Sequence, residues 1–260
     1  MPDRTGSAPE YAVPALDKAL DVLELLADSD TGLSQAEIAA EIGRNVAQIF
    51  RVLTLLERRG YLYRDAKSGL YQLSTRLFDL AHRQEPLRSL VAAAHPPMRR
   101  LADETRSSCN LSVLDAGRMR VVAQVVSPSD FGFQVRVGAL FPVETTASGL
   151  VQLAFSGAGA EVGVGGVPAS DLAAIRARGH LERPDALQPG VTDIVFPVLE
   201  PARASGERNS TARASTDRAI AVLTVPYVAT SFSERTSAFV ARHAEVAARE
   251  IAESLLGNGR

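Results

Sequence analysis

The sequence predicts an α+β fold in two domains, and three observations carry that expectation. At 260 residues the chain exceeds one typical domain. Its first third sets apolar residues at helical spacing and closes on two short alternating segments. Later the period changes to that of strands, with helices between and after them, as in an antiparallel sheet flanked by helices. The expected divisions are a disordered tail over 1–12, a first domain over 13–73, a linker helix over 74–86 and a second domain over 87–260.

Residues 1–12 mix Pro, Gly, Ser and charge without periodicity, the pattern of a mobile tail. From Ala15 to Ala27, Leu16, Ala19, Leu20, Leu23 and Leu26 recur at three and four, which predicts an amphipathic helix with Asp17, Lys18, Asp21 and Glu24 in solvent. Thr31-Gly32 breaks it. Ser34-Gln35-Ala36-Glu37 then has the form of a capping box, in which hydroxyl and carboxylate satisfy early helical N–H groups reciprocally. A short helix follows with Ile38 and Ile42 inward. Gly43 permits the turn that ends it, and Val46, Ile49, Leu53 and Leu56 mark a third helix stopped by Gly60. A short helix, a tight turn and a longer helix make a helix-turn-helix. Tyr61-Leu62-Tyr63 and Leu70-Tyr71-Gln72-Leu73, joined through Asp65 to Gly69, read as a hairpin beside it, the wing of a winged helix-turn-helix. A helix from Ser74 to His82 leads out.

Charge separates along this third of the chain. Residues 15–43 hold seven acidic side chains and one basic, Lys18, whereas residues 44–76 hold seven basic and two acidic. The net charge of −2 therefore hides a local positive field of the kind that attracts phosphates. The third helix turns Asn45, Gln48, Arg51 and Arg58 away from its apolar stripe. These side chains suit base edges and phosphates in a DNA major groove. Ser34 and Arg44 flank that surface, and Arg64 and Lys67 on the wing are placed for the sugar-phosphate backbone. The bland alternative is a helical bundle with solvated charges. A helix-turn-helix pattern is weak evidence alone, and the wing and the charge reversal favour duplex DNA.

In the second domain, Leu87 to Thr105 reads as helix, broken or kinked at Pro96-Pro97. Residues 108–114 and 119–126 form a hairpin around Asp115-Ala116-Gly117-Arg118, and Phe133 to Val137 is a further strand candidate. Residues 147–155 and 170–178 read as helices, Ile194–Leu199 and Ala219–Val228 as strands, and Phe232–Leu256 as a long final helix. Residues 200–218 have too little apolar surface to pack and read as a mobile insert.

The order of these motifs resembles the IclR family of transcription regulators across nearly the whole chain. VPALDKALDVLELLA, LSQAEIAAEIGRNVAQIFRVLTLLERRGYLYRD and YQLSTRLFDLA are similar to that family's DNA-binding domain. GALFPVETTASGLVQLAF and GVTDIVFPV are similar to landmarks of its effector-binding domain. The resemblance implies a GAF/profilin-like C-terminal fold and a repressor more readily than an activator. It also implies a homodimer or homotetramer on a palindromic operator, its affinity set by a small effector such as an organic acid. Helix 45–59 matches the recognition helix, and Arg51 the family's usual arginine, while Ala47-Gln48 replaces a common Ser-Thr pair. Phe133, Phe141, Ala147, Ser148, Gly149, Asp193 and Thr224 fall where members line the effector cavity. Asp193 stands where a cysteine is frequent, Arg183 where an acid is frequent, and Pro226 where a hydroxyl residue occurs, so known effectors do not transfer.

Read from chemistry alone, Ala147-Ser148-Gly149 at a helix start offers N–H groups and a hydroxyl to an anion, or Ser148 caps its own helix. Arg183 is a carboxylate partner or a solvated loop residue. Ser148 lies outside any Gly-x-Ser-x-Gly elbow, and no histidine is selected as its partner, so no enzyme is expected. Histidine spacing supports no metal site, and the single cysteine, Cys109, supports neither a disulfide nor a zinc cluster and reads as a small buried hydrophobe. The glycines from 157 to 166 follow a helix, which is the wrong context for a dinucleotide site, and no cofactor is expected. No apolar run approaches about 20 residues and the start has no secretory pattern, so the expectation is a cytoplasmic protein without a membrane partner. Two other function classes remain as alternatives: a sensory enzyme using the C-terminal cavity, and an interaction module without specific DNA binding.

Overall fold

A computed structural model describes residues 13–83, 85–130, 132–157, 166–185, 188–200, 218–229 and 235–257. The tail expected over 1–12, nearly all of the expected insert over 200–218, most of the glycine run and the start proposed for the last helix at Phe232 lie outside them. The chain divides into two compact units, Met1–Gln84 and Glu85–Arg260.

The first unit begins with α1 (Pro14–Ala27), where Pro14 at the first helical position gives up no hydrogen bond. Its buried residues are Val22 and Leu26, while Leu16 and Leu20 are 55% and 47% exposed. The expected stripe is therefore corrected: only the C-terminal half of α1 reaches α3 and β2, so the inward face runs through Ala19, Val22, Leu23 and Leu26. In α2 (Gln35–Glu41) the capping box is complete, with the Glu37 N–H donating to Ser34 Oγ at 3.3 Å and the Ser34 N–H to Glu37 Oε2 at 2.7 Å. Gly43 takes φ +63°, and the Arg44 N–H closes the turn on the Ala39 carbonyl at 2.8 Å. A side chain at that φ is strained, which suits glycine here. Asn45 then caps α3 (Val46–Arg58). The hairpin of β1 (Leu62–Arg64) and β2 (Tyr71–Leu73) pairs Leu62 with Leu73, and a bridge from Leu33 to Tyr71 ties it to the loop before α2. Ile38, Ile49, Leu53, Leu56, Leu62 and Tyr71 close one core around Val22. α4 (Arg76–His82) ends the unit.

The second unit is a six-stranded antiparallel sheet in the order β5-β4-β3-β8-β7-β6. Its strands are β3 (Cys109–Asp115), β4 (Arg118–Val125), β5 (Leu140–Pro142), β6 (Leu181–Pro184), β7 (Val191–Leu199) and β8 (Ala219–Val228). One face packs on α5 (Glu85–Thr105) and α8 (Ser237–Gly257) through Met98, Leu101, Leu111, Ile194, Leu223 and Ile251. The other packs on α6 (Ala147–Ala154) and α7 (Ala169–Arg178) through Met119, Val151, Leu172, Val195 and Val222. Cys109 is fully buried, its Sγ 3.5 Å from the Met98 carbonyl, and burial pushes its thiol up to about 12.

Four expectations here need correction. Pro96 and Pro97 sit inside an uninterrupted α5, because Leu90, Ala93 and Ala94 before them and Met98, Leu101 and Ala102 after them bury on one face. That burial outweighs two missing backbone donors. Phe133–Val137 forms no strand; the Val135 N–H donates instead to the Gln124 side chain at 3.0 Å. Leu181–Pro184, not expected as a strand, forms the sheet edge, and β7 begins at Val191 rather than Ile194.

The first turn of α6 lies against the backbone before it. A Cβ at Gly149 would stand 2.0 Å from the Val143 carbonyl oxygen, so no side chain fits without moving the helix. Gly149→Ala is expected to lower the unfolding free energy by about 3 kcal/mol, the upper end of overpacking costs, although alanine favours helix. Urea unfolding of the two proteins checks it; equal midpoints would refute the close approach.

Candidate nucleic-acid interface and ligand-facing sheet

With Ile49, Leu53 and Leu56 buried, the helical period of α3 places Ala47, Arg51, Thr54 and Arg58 on its outward side and Phe50 on one flank, and all five are exposed. Arg51 and Arg58 make no hydrogen bond or ion pair with protein among the described residues, and neither do the Arg44 and Lys67 side chains, which are also exposed. The other expected contact residues are already engaged. Asn45 Oδ1 accepts from the Ala47 N–H at 2.8 Å, and Ser34 caps α2. Gln48 lies on the flank of α3, where its Oε1 accepts from Lys18 Nζ at 3.2 Å. On the wing, Arg64 Nε donates to the Gly69 carbonyl at 2.9 Å while its guanidinium lies 5.4 Å from the Tyr71 ring centre. The sequence reading overlooked Phe50 and Thr54. Thr54 stands three and four residues from Arg51 and Arg58, and Phe50 three and four from Ala47 and Thr54, which was the available signal.

In the second unit, strand register sorts the expected effector residues. Thr224 stands opposite Asn110 on one side and Val195 on the other, and Asn110 stands opposite Gln124. Directly paired residues share a face, and Val195 belongs to the cluster under α6. The same face carries Ser112 opposite Val121 and Asp193 opposite both Arg183 and Pro226. Asn110, Ser112 and Thr224 are buried there, as is Gln152 of α6. Thr224 Oγ1 and Gln152 Oε1 have no hydrogen-bond partner among the described residues. Asn110, Ser112, Gln124 and Gln152 were missed by the sequence reading, although polar residues at alternate positions of an apolar strand were visible. Phe141 lies in β5 and packs, half-buried, against the α6 cluster, and Phe133 is half-buried in the irregular segment along β4.

Ser148 does not cap α6. Thr146 does, its Oγ1 accepting from the Gly149 N–H at 3.2 Å, and Ser148 Oγ lies 3.4 Å from that same oxygen. Ala147 is buried in the helix packing, and the Gly149 N–H is committed to the cap. Arg183 is likewise not a solvated loop residue. It lies half-buried in β6 and donates to the Thr145 carbonyl at 3.1 Å, joining the sheet edge to the turn before α6. A groove of about 300 Å³ between α5 and α8 is on the other side of the sheet. Its polar side chains include the ion pair Arg100–Glu250 at 2.6 Å and His243 Nε2 3.6 Å from Glu104 Oε2, and it has no unmatched buried polar atom among the described residues.

Comparison with known proteins bears on both surfaces. The IclR helix-turn-helix domain matches residues 15–66, and the C-terminal domain of the bacterial transcriptional regulator IclR matches residues 87–162. The chain belongs to the IclR family. That family consists of transcription regulators, not enzymes. The HTH-type transcriptional regulator Rv1719 of Mycobacterium tuberculosis is 31% identical over 142 residues, 55% of this chain and 54% of that protein. The transcriptional repressor IclR of Escherichia coli is 24% identical over 163 residues, 59% and 60% of the two chains. The chain thus matches little more than half the length of these relatives. An IclR homolog from Microbacterium hydrocarbonoxydans, complexed with 4-hydroxybenzoate, shares the fold with a TM-score of 0.70 at 22% identity, covering 94% of this chain and all of that one. The winged helix-turn-helix and the α+β second domain expected from the sequence are those of IclR structures. No described helix is long and apolar enough to cross a membrane.

In this IclR-family chain Asp193 is electrostatically unusual. Burial pushes its carboxyl up to about 6, the charge of Asp185 and a hydrogen bond to it add to the rise, and Arg183 opposes them. Between the unfolded value near 4 and the folded value, the native state holds the extra proton, so stability falls as pH rises through that window. Asp193→Asn is therefore expected to match the wild type in thermal melts near pH 4 and to exceed it above pH 6. Parallel melting curves across that range would exclude the raised carboxyl.

Proposed function

We propose that the protein is a cytoplasmic DNA-binding transcription regulator, a repressor, which binds a palindromic operator as a homodimer or a pair of dimers and is modulated by a small-molecule effector. The observation that carries this reading is the outward side of α3, where Arg51 and Arg58 are exposed and, among the described residues, without protein partners, as are the side chains of Arg44 at its start and Lys67 on the wing. Unpaired arginines on a helix held rigid by a buried stripe fit guanine edges and phosphates. Lys67 fits the backbone beside the groove, and Ser34, Asn45, Gln48 and Arg64 act by holding α2, α3 and the wing in place. Exposed Leu16 and Leu20 on α1 and Leu77 and Leu80 on α4 supply apolar surface for a second copy, which a two-fold symmetric operator requires. The name of the E. coli relative supports repression.

The effector reading rests on the buried polar residues under α6. An organic acid would direct its carboxylate toward Arg183 and the start of α6, and its uncharged end toward Thr224, Asn110 and Asp193, with Phe133 and Phe141 supplying apolar walls. The 4-hydroxybenzoate complex of the Microbacterium homolog supports a ligand of that class. Modulation requires that the ligand bind the DNA-competent and DNA-incompetent states unequally.

Gel shift with the DNA upstream of the protein's own gene, at two salt concentrations, tests the central reading. A sequence-specific, salt-sensitive shift is expected. Arg51→Ala should cost about 1–3 kcal/mol of specific binding and relax discrimination against random DNA, whereas Lys67→Ala should weaken binding to both alike and reduce the salt slope by about 1. Absence of any specific shift with neighbouring promoter fragments would overturn it. Thr224→Val should abolish any thermal stabilisation by 4-hydroxybenzoate or related acids while leaving the gel shift intact.

A further inference from the structure

Phe50 is 53% exposed on the flank of α3, beside the outward side that carries Arg51 and Arg58. Its neighbours one turn away are apolar outward. Ala47 offers a methyl, and the Thr54 hydroxyl donates to the Phe50 carbonyl at 2.8 Å, which leaves the Thr54 methyl to face outward. The strip Ala47–Phe50–Thr54 thus presents no free donor to a base edge and is mainly apolar, and the hydrogen-bonding side chain beside it is Arg51. In a major groove the apolar group a base presents is the 5-methyl of thymine, whereas an arginine fork matches guanine O6 and N7. One helical turn advances about 5.4 Å, against about 3.4 Å for a base-pair step, so both contacts fall within about two base pairs.

We infer that each half-site contains a thymine within about two base pairs of the guanine met by Arg51, and that Phe50, with Ala47 and Thr54, reads the methyl group of that thymine. This rests on the DNA-binding reading and adds the base it selects. An exposed phenylalanine that instead joined two protein copies would leave base preference unchanged when removed.

The test is selection of binding sites from a random duplex library with the full-length chain, followed by replacement of each selected thymine with deoxyuridine, which removes the methyl and keeps the pairing edge. Replacement at one position per half-site is expected to weaken binding about fourfold, the worth of one buried methyl. Phe50→Ala should bind the thymine site about as weakly and no longer distinguish thymine from deoxyuridine, while Arg51→Ala should still distinguish them. The inference is overturned if deoxyuridine is equivalent to thymine everywhere, or if Phe50→Ala keeps the discrimination, including the case where it merely converts a dimer to a monomer in sedimentation. Failure to enrich any sequence overturns the DNA-binding reading itself, and this inference with it. Because Phe50 packs outside the core, the melting temperature of Phe50→Ala should match the wild type, which separates loss of contact from loss of fold.

Discussion

Burial of Ile49, Leu53 and Leu56 is the constraint on which the first unit depends. These three side chains set the rotation of α3 about its own axis, and hence which residues meet solvent. The residues around them serve that placement. Val22 and Leu26 approach from α1, Ile38 and Ala39 from α2, and Leu62 and Tyr71 from the hairpin, so the wing and the helix share one core. The capping box at Ser34, the cap at Asn45 and the hydrogen bond from Gln35 Nε2 to the Val46 carbonyl at 3.1 Å fix the turn between the two helices. A surface that recognises shape has to be rigid before it is charged, and most of the polar residues here secure the backbone rather than face outward.

In the second unit the corresponding constraint is strand β8, paired on both edges and buried on both faces. Leu223 and Val225 face α5 and α8, and Val222 and Thr224 face α6. Any change in β8 is therefore felt by both helical layers; Thr224 lies on it, Asn110 and Ser112 on its neighbour β3 and Asp193 on its neighbour β7, with Phe141 and Arg183 farther out on β5 and β6. Arg183 adds a link at the sheet margin, because β6 and the turn before α6 share its side chain.

What was legible in the sequence was what neighbours in the chain decide. The capping box, the Gly43 turn, the hairpin around Asp65 to Gly69 and the boundaries of β8 follow from local periodicity and turn chemistry. The features without a local signal are tertiary. Gln48 carries the right chemistry for an adenine, and its engagement with Lys18, thirty residues earlier, has no local signal. Pro96-Pro97 reads as a break until the burial of α5 on both sides is known. Leu181–Pro184 is too short to announce a strand, yet it alternates inward and outward and follows Gly179, whose φ of +78° ends α7. Ser148 looked like a cap because Thr146 and Ser148 are equally suited to the role, and only the backbone shows which one is extended.

The two faces of the central sheet differ in a way that stability alone does not explain. Toward α5 and α8 the strands present Leu111, Ile194, Phe196, Leu223 and Val225, an apolar layer with no unmatched polar atom among the described residues. Toward α6 the same strands present Asn110, Ser112, Thr224 and Asp193. A buried hydroxyl without a partner costs about 1–3 kcal/mol, and valine has nearly the shape of threonine, so Thr224 is a worse choice for folding than its apolar counterpart. Burying Asp193 beside Asp185 costs more again, because the carboxyl must either hold a proton or keep its charge against a neighbour of the same sign. Groups held in such positions gain from a partner that the chain itself does not supply, and residues that break local packing rules concentrate where recognition takes precedence over stability. The polarity of this one face, set against the apolar buried layer of the other, is thus the physical reason for proposing an effector site under α6 rather than in the groove between α5 and α8.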